Sequence, residues 1–270
     1  MSTSWLERRP LAALVLGLFY TLVGSVTGFL FFRQNLSIAV LFFITLLLVP
    51  SLMNLLTIEE ERERREGLRH FFHNHRDVFE IFLFFSLGIF LGYLVMVWIF
   101  GLLGFGLEIT LQEQLKVLGD QVTKNVVQNY DVPKFTHSFG LFATNIGVAV
   151  IFFVLSFFYG AGSIFLVVWN ASIFVTFIIV TIRNISQGMN HSLALLGIFS
   201  LYIVPEIAGF LLAAIAGGVV SKAVVVEDFL SKEFKNVVRD AVVLLFLSFA
   251  LLLLAAVLES YAVDWIKALV

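Results

Sequence analysis

LYIVPEIAGFLLAAIAGG, residues 201–218, lies inside an apolar run long enough to cross a bilayer, yet it carries a proline and then a glutamate, Pro205 and Glu206. The run decides the fold class. A hydrocarbon core of about 30 Å takes roughly 20 apolar residues as a helix, and only helices or closed barrels satisfy their backbone groups there. The stretch is uniformly apolar and does not alternate every second residue, which selects a helix over a barrel strand. Its interruption poses the functional question. An ionised carboxylate at mid-bilayer costs at least about 2.5 kcal/mol on insertion scales, so an acid placed there is buried with a partner, or protonated.

Moving outward, the same ruler finds seven candidate spans, near residues 11–32, 36–56, 79–104, 139–158, 164–182, 193–220 and 240–261. The expected fold is an all-α, polytopic transmembrane helical bundle of about seven spans, six if one segment within 139–182 is re-entrant, with an amphipathic outer helix. Composition agrees: 60% of residues are hydrophobic and only 13% charged, where a soluble domain has about a quarter. Thirty-one phenylalanines suit a lipid-facing surface. A net charge of −2, with lysines and arginines confined to short inter-span segments, excludes a nucleic-acid footprint. The absence of cysteine excludes disulfides, thiolate metal sites, iron–sulfur clusters and a cysteine nucleophile. The first apolar run, from Leu11 to about Phe32, is too long for a signal-peptide core and lacks a small-residue cleavage site, so it reads as a retained span.

Orientation follows from the basic residues. With the N-terminus in the cytoplasm, that side receives eleven lysines and arginines and the other side six, which the positive-inside rule favours. The chain divides into an N-terminal transmembrane hairpin with a charged cytoplasmic helical extension (1–78), a third span with the outer amphipathic helix (79–138), and a core bundle with a C-terminal span (139–270). In the extension, Glu60 with Arg64 and Glu61 with Arg65 stand at the i,i+4 spacing of an exposed helix. In the outer segment, Leu111, Leu115 and Leu118, continued by Val122 and Val126, recur every three or four residues. They form a stripe that lies on the bundle or membrane surface, or offers a docking face to a protein partner.

Three polar side chains converge on the interruption. By helix rise, Glu206 lies roughly 20 Å from the outer end of its span and Asn170 roughly 9 Å from the inner end of its own, which places both in the inner half. Asn145 sits higher, so depth favours Asn170 as the partner of Glu206. Tyr202 stands one turn before the glutamate. Pro205 frees the carbonyl of Leu201 and tends to kink the segment, opening room beside Glu206. Gly160 and Gly162 in YGAGS permit the tight turn that sets the two asparagine helices antiparallel. Gly24 with Gly28, Gly88 with Gly92, and Gly209, Ala213 and Gly217 repeat every four residues, as close helix packing in lipid requires. Two uses of the cluster stay open: a polar knot holding three spans together, or a mid-membrane site for an ion, proton or polar ligand.

Asn145 in FATNIGVAV, Gly160 and Gly162 in FFYGAGS, Asn170 in VVWNAS, and Glu206, Gly209, Gly217 and Gly218 in PEIAGFLLAAIAGG together resemble the core of the stage II sporulation protein M family, over residues 139–220. Ala171 stands where that family carries a glycine after the asparagine, and Tyr202 and Ile203 stand where it carries a His-Gly pair. The resemblance implies a polytopic protein of the cytoplasmic membrane. In the sporulating relative, the family member works without catalysis as a membrane partner in a complex that includes peptidoglycan-degrading proteins.

No zincin, nucleophile-elbow or P-loop motif is present. His70, His73 and His75 do not share one helical face and read as a wet juxtamembrane stretch, so neither metal nor cofactor is expected. The expected function is a noncatalytic integral membrane protein that organises or recruits membrane or envelope protein partners, its oligomeric state open. The alternative is a transporter or channel for a proton, ion or small polar solute that uses Glu206.

Overall fold

The computed structural model describes residues 10–66, 71–119, 133–159, 162–228 and 231–269, and among them every regular element is helical. Seven helices are long and apolar enough to cross a membrane. They are α1 (Pro10–Phe31), α2 (Leu36–Glu66), α3 (Phe71–Leu102), α6 (Lys134–Phe158), α7 (Gly162–Ile185), α8 (Met189–Val226) and α9 (Lys232–Leu269). Two short helices, α4 (Leu107–Thr110) and α5 (Gln112–Leu118), follow α3, and a 3₁₀ turn at Arg33–Asn35 joins α1 to α2. Within 139–182, α6 and α7 are helices of 25 and 24 residues, each long and apolar enough to cross a membrane.

The helices form two trios. In the first, α1 packs against α2 and α3; in the second, α6 and α9 pack against α8; α7 touches α2, α3, α6 and α8. Small residues let the backbones meet. A Cβ on Gly17 would lie 2.6 Å from the carbonyl of Phe85, and one on Gly92 would lie 2.5 Å from Cβ of Thr21. Gly24 and Gly28 face Ile44 and Val40 in the same way across α1 and α2.

The helix holding Glu206 is the axis of the second trio. Residues 208–220 of α8 are buried without a break, so this stretch has no polar face to turn toward water, the pattern of an element enclosed on all sides. Gly209 abuts Leu252 of α9, Gly217 abuts Phe153 of α6, and Gly218 abuts Leu56 of α2. Hydroxyls then tie neighbours to its backbone: Ser156 Oγ donates to the Ala214 carbonyl and Ser248 Oγ to the Gly209 carbonyl, each at 2.7 Å. The helix runs on through Pro205 without interruption.

The amphipathic segment packs on the bundle through the start of its stripe. Leu111 is wholly buried and Leu115 packs on the main core. Gln114, on the same helix, is also fully buried and donates to Ser172 Oγ of α7 at 3.0 Å while Ser37 Oγ of α2 donates to its carbonyl. Leu111 therefore faces the bundle and Leu115 is half-buried against it, because a buried amide bonded to two spans fixes the short helix there, while Leu118 is half-buried. Val122 and Val126, Gly160, and His70 lie outside the described residues. Gly162 opens α7 with ordinary helical backbone, so the positive φ expected of it is not used; the described glycines in that region are Gly104, Gly119 and Gly188.

Candidate functional site

Asn145, Ala149, Phe152 and Ser156 form the buried face of α6. That face lies against α8, as the stacking of the Phe152 and Phe210 rings at 5.4 Å and the Ser156 bond both record. This packing carries Asn145 to Glu206, whose carboxyl is within hydrogen-bonding reach of the Asn145 amide. Asn145 is 8% exposed, Glu206 9% and Tyr202 5%. The Tyr202 ring meets Phe199 edge-on at 6.3 Å, inside a smaller apolar cluster with Ile178, Leu195, Ala262 and Ile266. Glu206 thus sits between the two apolar clusters of the molecule.

Asn170 is placed elsewhere. Its Nδ2 donates to the Leu166 carbonyl one turn back on α7 at 2.9 Å, and its side chain lines a small cavity with Ser86, Phe152, Ile207 and Phe210. The depth comparison that favoured it assumed that α6 begins near residue 139. The helix begins at Lys134, which puts Asn145 at mid-helix, level with the glutamate.

A second acid enters the site that the sequence reading did not include. Glu259 of α9 lies close enough to Glu206 for the two charges to act on each other, and Tyr202 is near both. The last apolar run of the sequence stops near residue 261, so hydropathy alone does not carry the helix beyond Glu259. The helix continues to Leu269, with Leu258, Ala262 and Ile266 keeping the apolar side at four-residue steps. Glu259, beside Leu258 on that helix, is half-buried, and Asp240, near the other end of α9, is buried at 1% exposure.

Toward the end where α6 starts and α9 stops, polar groups line the seam between these helices. Ser260 Oγ lies 2.7 Å from Ser138 Oγ and 3.3 Å from His137 Nδ1. One turn further out Lys134 pairs with Asp264 and covers the Tyr261 ring at 4.4 Å. Among the described residues no group of three or more metal-ligating side chains occurs.

The profile described as stage II sporulation protein M matches residues 81–263. The match takes in most of α3, the segment after it and most of α9, well beyond the 139–220 stretch that carried the resemblance. No curated protein and no solved structure matches the chain.

Proposed function

Since the chain belongs to the stage II sporulation protein M family, we propose that it is a noncatalytic integral membrane protein that gathers or positions partner proteins in the cytoplasmic membrane. The observation that supports this is the arm formed by α2 and α3. The apolar span of α2 ends at Ile58, but the helix continues to Glu66, eight residues or about 12 Å further. Its neighbour α3 starts at Phe71, five residues before its own span begins at Arg76. The protruding part of α2 has the sequence EEERERRE, with both signs of charge. A helix that leaves the hydrocarbon with charges of both signs suits a polar, electrostatically matched protein surface. With the N-terminus in the cytoplasm, the arm projects there.

The test is crosslinking in native membranes followed by purification of the full chain. The expected result is a reproducible set of co-purifying proteins, lost when Glu60, Glu61, Arg62, Arg64 and Arg65 are all replaced by serine, with the bundle's thermal unfolding in detergent unchanged. Recovery of no partner by the wild-type chain, or an identical set from the serine variant, would refute the arm as the docking element. A second reading is a permease built on Glu206, an acid buried in the membrane-spanning part of α8.

A further inference from the structure

The spans α3, α7 and α8 do not close on one another completely. Between them lies a cavity of about 200 Å³, walled by Leu83 and Phe90 of α3, Ile178 of α7 and Ile203 of α8. Its α8 residues bracket Pro205, the position at which that helix lacks an internal hydrogen bond. The mouth opens on the flank of the bundle: Leu87 and Val204 also line the cavity, and they are 44% and 53% exposed. Leu87 stands eleven residues beyond Arg76, where the span of α3 begins, which is about 16 Å of helix rise and about half of a 30 Å hydrocarbon core. The opening therefore faces the middle of the bilayer.

Among the described residues that line the cavity none is charged. Its two hydroxyls are spent on their own helices: Ser86 Oγ donates to the Phe82 carbonyl at 2.9 Å and Ser200 Oγ to the Leu196 carbonyl at 2.7 Å. A polar solute entering here would give up its bonds to water for almost none in return. Hydrocarbon gains contacts instead. A closed cavity of about 150 Å³ lined by leucine, isoleucine and phenylalanine stays dry and takes up benzene, so this larger one has room for a chain end of at least about six carbons. Beyond Ser86 and Ile207 lies the small cavity beside Asn170, about 10 Å³ and enough for a single water at most, so those two side chains form the floor. A lane leads to the mouth along α8. Gly197 has no neighbouring atom within 4 Å of where a Cβ would stand, and with Ser200 and Val204 it lies on one exposed helical face, against which the rest of a chain can rest.

We propose that this cavity is a lipid site that holds the end of one acyl chain of a membrane phospholipid. Place and chemistry select the occupant: the mouth meets the bilayer at the depth where acyl chains end, and the walls favour hydrocarbon alone. A helix of a second copy or of a partner, about 10 Å across, is too broad to enter and can only cap the mouth. The chain end fills the joint where α3 of the first trio meets α7 and α8, and so packs the two halves of the bundle together. The site goes beyond the docking role and does not depend on the arm; loss of every protein partner would leave the lipid in place.

The experiment places the full chain in phosphatidylcholine vesicles that contain a trace of phosphatidylcholine with a diazirine at the end of one acyl chain. After illumination, adducts are located by peptide mass spectrometry. The reference is Val150 and Ile151, exposed residues in the apolar run of α6. Adducts on residues 83–90 and 200–207 of the wild-type chain should exceed the reference several-fold. Ser200→Phe and Leu87→Trp fill the cavity from different helices, so each should bring the yield down to the reference, and one stands if the other misfolds. Three results overturn the proposal. Wild-type yield equal to the reference means ordinary bilayer contact only; yield below it means that a second copy or another protein covers the mouth; enrichment that survives both filling variants means that the chain end lies elsewhere.

Discussion

Replacing Gly17 with alanine tests whether α1 and α3 are held at backbone contact. The added Cβ would lie 2.6 Å from the Phe85 carbonyl oxygen, 3.2 Å from the Ile89 nitrogen and 3.3 Å from Gly88 Cα, all main-chain atoms. Carbon–oxygen contacts between closely packed helices settle near 3.3 Å, so the two helices must part by roughly 0.7 Å. Main-chain atoms cannot rotate aside as a side-chain tip does. Overpacking of this kind costs typically about 1–3 kcal/mol, a factor of roughly 5 to 150 in the folding equilibrium. The measurement is reversible unfolding in mixed detergent micelles, with G147A and G197A as references. A Cβ at Gly147 or Gly197 meets nothing within 4 Å, and alanine gains up to about 1 kcal/mol over glycine in helix propensity. G17A should therefore fall at least about 1 kcal/mol below both references. Equal stability of the three variants would show that α1 and α3 do not meet as described.

Asn145→Ala should cost about 1–3 kcal/mol by withdrawing the amide from a buried carboxyl, while Asn170→Ala, which loses only a bond to its own helix, should cost less than half as much; the same unfolding assay compares them. Gln114→Leu removes bonds to Ser37 and Ser172 and should cost about 1–2 kcal/mol at roughly 0.6 kcal/mol per interhelical bond plus the unpaired hydroxyls, with faster proteolysis near residues 107–118 as a second readout. Asp264→Asn breaks a half-exposed ion pair and should change stability by less than about 1 kcal/mol, an effect that shrinks further at high salt. If Glu206 carries a permeant proton or ion, liposome flux driven by a pH gradient should drop at least tenfold in Glu206→Gln, and unchanged flux would remove Glu206 from any pathway.

The spans were legible because a bilayer imposes one length and one composition on every crossing helix, and each of the seven apolar runs overlaps a helix of the structure. Helix ends were less legible. Lys134, His137 and Ser138 at the start of α6 and Ser260 and Asp264 near the end of α9 are polar and yet helical, because each helix finds its polar partners on the other: Lys134 on Asp264, and Ser138 on Ser260. A hydropathy window stops where apolar residues stop, and so it set Asn145 too close to the end of its span. At Gly24, Gly88, Gly92, Gly209 and Gly217 an added Cβ would come within 3.0 Å of a neighbouring helix, which is why no side chain stands there. Which face of the Leu111 helix looks inward depended on Gln114, whose partners Ser37 and Ser172 are 77 and 58 residues away in the chain. Local periodicity carries no information about such distant acceptors.

The enclosure of residues 208–220 has a consequence for biogenesis. Ribosomes deliver chains from the N-terminus, and early segments fold while later ones are still being made. When α8 emerges, α1 to α7 are already in the bilayer, and the flank that α9 will cover is still bare. The small-residue ridge at Gly209 then faces lipid, which fills its grooves less well than Leu252 and Ser248 do. Arrival of α9 is thus the event that locks the assembly, and a nascent chain halted between residues 228 and 232 should be a preferred target for membrane quality-control proteases.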